Sequence, residues 1–182
     1  PFKSQLTKLS QKQKKEWIKR YENGRFNLDS GNYQVANDAF SEAIKIDPSY
    51  ADLRYRNGQC LFSLGIYPDA KNEFVSAIDL DVAPLRATSE IQNRVRQMCE
   101  KRNVPYIDLV AILEKHCMNE YGHHILGSEY FLDHAHLKIG VHQLLAEKLA
   151  TTLTDHKILD TKKEWKQVNR PALYASVMST VD

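Results

Sequence analysis

Asp133 and His136 stand three residues apart in EYFLDHAHLK (residues 129–138), a stretch too polar to be plain core. An aspartate three positions before a histidine on a loop can accept one ring N–H and leave the other nitrogen to take a proton. That is the base half of a nucleophilic hydrolysis, and an imidazole base suits neutral pH. Such a base needs a hydroxyl to activate, and Ser128 lies close by in the sequence. A different chemistry would use His123, His124, His134, His136 and His142, because His-x-His at 134 and 136 can clasp zinc. No thiolate pair with metal-ligand spacing accompanies them, so no metal or other cofactor is expected. In a purely structural reading, Asp133 and His136 cap the helix that follows and satisfy loop carbonyls.

The segments around the pair must position it. VPYIDL (104–109) is a short apolar run between two helical stretches, and AILEKHC continues as helix. MNEYGHHILGSE is loop by composition. IGVHQLLAEKLATTL reads as an amphipathic helix with Leu144, Leu145, Leu149 and Leu153 on its apolar stripe. This order predicts a partial α/β segment with one or few short strands. One strand makes no sheet, so its pairing strands are expected outside this chain.

The first half is of another kind. YENGRFNLDSGNYQVANDAFSEAIKIDP aligns without a gap on YRNGQCLFSLGIYPDAKNEFVSAIDLDV at an offset of 34 residues (Asn23 to Asn57). Gly24 matches Gly58, Gly31 matches Gly65, Ala36 matches Ala70, Phe40 matches Phe74 and Ala43 matches Ala77. The period and the pattern of small and aromatic residues resemble the tetratricopeptide repeat family closely. Helices are predicted near 12–29, 33–46, 50–63 and 67–80. Two repeats are fewer than the three that usually bury a continuous core. The segment PLRATSEIQNRVRQMCEKRN, with Ile91, Val95 and Met98 at helical spacing, is expected to cap the stack. The resemblance implies a concave face that holds a peptide, lined by Tyr21, Arg25 and Leu28 from one copy and Tyr55, Gln59 and Phe62 from the other. Alternatively, those aromatics are buried against neighbouring protein.

From RATSEIQNRVRQMCEKRNVPYIDL through FLDHAHLKIGVHQLLAEKLA, the chain resembles the final third of an SGNH (GDSL-type) hydrolase over roughly residues 84–153. Asp133 and His136 fall on that family's last block, Asp-x-x-His. The repeats stand where some bacterial members carry a helical insertion. Leu137 replaces the family's usual proline, and Gly140 comes one residue early. The resemblance implies an ester or acyl-carbohydrate hydrolase in which His136 is the base and Asp133 orients it. No GDS block is present: Asp29-Ser30-Gly31 echoes one, but its counterpart FSLGI keeps only the glycine, so Ser30 reads as a turn residue. The nucleophile is therefore expected upstream of Pro1, an expectation that agrees with an opening PFKSQL lacking methionine.

The fold class expected is thus mainly α, with repeat hairpins over 1–84, the partial α/β segment over 85–153 and a helical tail over 154–182. In that tail Trp165 to Val168 reads as a short helix that Pro171 ends and YASVMSTV as the start of another; the tail is expected either to wrap onto the first repeats or to begin further repeats. A net charge of +2 gives no reason to expect nucleic acid, and the basic opening KLSQKQKKEWIKR reads as a solvated helix face. No apolar run approaches a membrane span. Cys60, Cys99 and Cys117 are odd in number and unpaired in spacing, which fits reduced thiols of the cytoplasm. The partner expected is a protein or peptide in the groove, or the missing amino-terminal part of the same protein.

Overall fold

A computed structural model describes residues 9–158, and the expected helices of the tail beyond 158 lie outside it. Four helices form the repeat part: α1 (Gln11–Asp29), α2 (Tyr33–Ile46), α3 (Ala51–Ser63) and α4 (Tyr67–Asp79). They agree with the sequence-derived bounds to within a residue. Ser10 starts α1 with a capping box: its Oγ accepts the Gln13 N–H at 3.3 Å, and its own N–H reaches Gln13 Oε1 at 3.0 Å. Lys12, Lys15, Lys19 and Arg20 of α1 face solvent, while Lys14 and Arg25 are half-buried.

Two features of the repeat have direct steric causes. Gly31 and Gly65 take φ of +77° and +75°, where a side chain would be strained. Each reverses the chain between paired helices: Asn32 N–H returns to the Asn27 carbonyl at 2.8 Å, and Ile66 N–H to the Leu61 carbonyl at 2.9 Å. Within each pair, helices approach over a glycine. A Cβ on Gly58 would lie 2.8 Å from the Phe74 ring, and one on Gly24 would run into Phe40. Ser30 is a turn residue, its hydroxyl donating to the Phe26 carbonyl at 2.8 Å.

Trp17, Tyr21, Ala36, Phe40, Tyr50 and Leu53 build the main core of this half. α1 packs on α2, α2 on α3, and α3 on α4. Helix α5 (Ser89–Arg102) forms as the spacing predicts, but it does not cap the stack. It meets α4 only at its edge, and Ile91, Val95 and Met98 are 51%, 47% and 57% exposed. The helical period set the stripe, but the described residues leave it about half exposed.

The expected α/β segment is also corrected. Residues 104–108 have no regular secondary structure, and no strand occurs among the described residues. A strand exists by pairing its N–H and C=O groups with a neighbour, and here none runs alongside. The segment leads into α6 (Leu109–Tyr121), where Asp108 accepts the Ala111 N–H at 3.0 Å and pairs with Arg96 of α5 at 2.6 Å. After a loop comes α7 (Ile139–Asp155). Leu113, Cys117, Tyr130 and Val141 form a second core, with Leu109, Leu126, Phe131, Leu137 and Leu144 packed around it. On the predicted α7 stripe, Leu144, Leu145 and Leu153 are half-buried and Leu149 is exposed. The two cores meet along a narrow seam. His123 packs against Phe62 and Tyr67, with ring centroids 5.2 and 5.0 Å away, and Lys71 pairs with Glu114 at 2.7 Å. No described helix is long and apolar enough to cross a membrane.

Candidate functional site

The six groove positions divide. Tyr21 belongs to the core: it is buried, stacks on Trp17 at 4.8 Å and donates its hydroxyl to Asp52 of α3. Arg56 holds the same carboxylate at 2.8 Å. Burial alone would raise the Asp52 pKa, yet the Tyr21 hydroxyl and the Arg56 guanidinium together bring it below the ordinary value. Arg25 is half-buried, lies over the Tyr21 ring at 5.9 Å and pairs with Glu22 at 3.3 Å. Leu28 leans on the first core. Tyr55 is 40% exposed and rests on Phe74, Gln59 is half-buried, and Phe62 is half-buried by Tyr67 and His123. Of the six, Tyr55 is therefore the exposed one, and Gln59, Arg25, Leu28 and Phe62 are half-buried. The repeat pattern locates these positions but does not distinguish Tyr21 from Tyr55.

The second site is a compact turn. Phe131 and Leu137 form an antiparallel bridge: Leu132 N–H donates to the His136 carbonyl at 2.8 Å, and Lys138 N–H to the Tyr130 carbonyl at 2.9 Å. Tyr130 anchors the turn in the second core, and its hydroxyl meets His116 Nδ1 at 2.8 Å. Between the bridge positions, Asp133 Oδ1 accepts the N–H groups of Ala135 and His136, both at 2.8 Å. Its Oδ2 lies 2.7 Å from His136 Nδ1. The backbone N–H groups of His136 and Ala135, then the imidazole, hold the Asp133 pKa well below the usual carboxylate range. An ionised carboxylate can only accept, so in the neutral ring Nδ1 carries the proton and Nε2 the lone pair. The His136 side chain is 76% exposed, so Nε2 is open to a reacting group. Asp133 does not cap the following helix. Lys138 occupies that N-cap without a side-chain hydrogen bond, and the carboxylate closes its own turn instead.

The remaining candidates do not converge. Among the described residues no group of three or more His, Cys, Asp or Glu side chains could hold a metal ion. His123 is buried beside Cys117, 3.3 Å from its sulfur, and fills the seam between the cores. Ser128 is exposed on the loop. Sequence reasoning missed Arg86, whose guanidinium lies 4.6 Å from the Phe131 ring centroid and whose Nε donates to the His134 carbonyl at 2.8 Å. No local motif announces a contact across 48 positions.

Compared with known proteins, residues 27–84 match the family described as tetratricopeptide repeat. Among curated proteins and among solved structures, none matches the chain. The repeat part is a tetratricopeptide-type helical repeat, carried by the paired helices and the family match together.

Proposed function

We propose that this chain is a protein-interaction module that binds an extended peptide or a protein segment on the concave side of its repeats. The observation that carries this reading is the match over residues 27–84 to a repeat family, on hairpins that leave Tyr55 accessible beside Gln59. Arg25, Leu28 and Phe62 border the surface, while Tyr21 supports it from beneath. An aromatic ring held against Phe74 offers apolar contact at little entropic cost. The test is selection from a displayed random-peptide library, with affinities then measured by calorimetry. Binding lost in Tyr55→Ala and kept in His136→Ala supports the module. Selected peptides that bind Tyr55→Ala as well as the parent would remove the groove from the account.

A second reading is favoured by the 2.7 Å contact between Asp133 and His136, with the carboxylate further held by two backbone N–H groups. Under it, residues 85–153 belong to a serine ester or acyl-carbohydrate hydrolase. His136 Nε2 takes the proton of a serine hydroxyl as its oxygen attacks the ester carbonyl, then returns it to the departing alcohol. Asp133 keeps the proton on Nδ1 throughout. The serine and the oxyanion donors would come from another segment or another chain. The test is fluorophosphonate labelling of a longer protein that contains these residues. A serine labelled in the parent but not in His136→Ala supports the reading; equal labelling of both sinks it.

A further inference from the structure

We propose that Arg86 is a positioning residue for the Asp133–His136 pair, through which the end of the repeat unit sets the geometry of the turn. The inference deepens the hydrolase reading and rests on it for its functional meaning. Arg86 lies on the connection between α4 and α5. That connection is tied back onto α4 by Ser89 N–H, which donates to the Asp79 carboxylate at 2.8 Å. From there the side chain reaches the turn, places its guanidinium over the Phe131 ring at 4.6 Å, and donates Nε–H to the His134 carbonyl at 2.8 Å.

The chemistry follows from one peptide plane. The His134 carbonyl and the Ala135 N–H belong to the same planar trans unit, so fixing the oxygen fixes the direction of the N–H. Arg86 holds the oxygen, and Asp133 Oδ1 accepts the N–H at 2.8 Å. The same Oδ1 accepts from His136 N–H, also at 2.8 Å, which leaves Oδ2 facing the imidazole. Rotation of the 134–135 peptide would therefore turn the carboxylate away from Nδ1. The Phe131 ring beneath the guanidinium is one end of the bridge that closes the turn, so one side chain braces the turn's base and its tip.

The experiment reads the His136 tautomer by side-chain nitrogen NMR in the full 182-residue chain, together with amide exchange at Ala135 and His136. In the parent, the neutral ring carries its proton on Nδ1. Arg86→Ala is expected to shift the tautomer ratio toward Nε2–H and to speed both amides by roughly three- to tenfold, the factor for one lost hydrogen bond. Arg86→Lys, which keeps a cation without the planar fork, is expected to restore part of each change. An unchanged tautomer and unchanged exchange in a folded Arg86→Ala protein overturn the proposal. Should that variant fail to fold, Arg86→Met keeps an unbranched apolar stem beside Phe131 while losing the guanidinium and its Nε–H donor. Parent-like values in it overturn the proposal equally. None of these readouts needs a substrate. A tautomer shift alongside His136-independent fluorophosphonate labelling would remove the hydrolase reading and leave the positioning role standing.

Discussion

The Tyr21 hydroxyl donates to the Asp52 carboxylate across the boundary between the first and second repeats. Both residues are buried, and Arg56 completes the charge balance at 2.8 Å. What the repeat pattern offers as a ligand-binding tyrosine is instead the joint between two hairpins. Tyr21→Phe leaves the fold's shape intact but removes a hydrogen bond to a buried charge. It is expected to lower unfolding stability by about 1.5–3 kcal/mol in urea titrations. Tyr55→Phe, at the matching position of the second repeat, is expected to change stability by less than about 0.5 kcal/mol.

Alkaline pH acts on the same joint. Burial, and then the Asp52 carboxylate, push the Tyr21 pKa well up. Burial also raises Tyr50, and burial followed by the neighbouring Cys117 raises Tyr130. A group whose folded pKa is raised contributes stability below its unfolded value, about 10 for tyrosine, and loses it as pH rises through the folded value. Stability should therefore fall above about pH 10. In a spectrophotometric titration, Tyr21 and Tyr130, two of the nine tyrosines, should ionise only as circular dichroism reports unfolding. Ionisation of all nine before any loss of helix would contradict this.

Two glycines should respond with opposite sign. A Cβ at Gly58 meets the Phe74 ring, whereas one at Gly140 in α7 meets nothing within 4 Å. Gly58→Ala is expected to cost about 1–3 kcal/mol through forced repacking. Gly140→Ala is expected to stabilise by up to about 1 kcal/mol, because alanine loses less backbone freedom in a helix. Thermal midpoints of the two variants check both.

The three thiols should separate in a labelling experiment at pH 8. Burial pushes the Cys60 thiol up to about 11 and also raises that of Cys117, and both are buried. Cys99 is partly exposed on α5. Iodoacetamide should modify Cys99 first, with Cys60 and Cys117 following only on opening of their cores. Equal rates at all three would show that both cores are open in solution.

Acid should spare the turn longer than an ordinary aspartate would. The Asp133 pKa lies below its unfolded value, so the contribution of its ionised form is present above about pH 3.9 and is lost as pH falls through the lower folded value. Carboxyl carbon NMR should show Asp133 still ionised at pH 3.9, where a free aspartate is half protonated. Protonation near that ordinary value would mean that the N–H groups of Ala135 and His136 do not hold it.

Much of the fold was legible because its causes are local. Glycine at 31 and 65 answers a positive φ, and glycine at 24 and 58 answers a ring in the next helix, so a 34-residue period in small and aromatic residues specifies the hairpins. Asp-x-x-His was legible for the same reason, since a three-residue spacing lets one carboxylate meet both the backbone and the ring of a single turn.

Other features depended on what stands beside each element. Tyr21 and Tyr55 share a residue type and a repeat position, yet one is core and the other exposed. The difference is the next hairpin. Tyr50 and Asp52 close over Tyr21, while 34 residues further on the chain has Pro84 and Arg86 and turns away toward the second core. The periodicity of Ile91, Val95 and Met98 specified a helix but could not supply a surface to bury them, and residues 104–108, without a neighbouring strand, formed no strand. Pairing and burial are properties of two surfaces in contact. The sequence determined each surface by itself; the tertiary structure decided which ones meet, and it brought Arg86 to a turn 48 positions away.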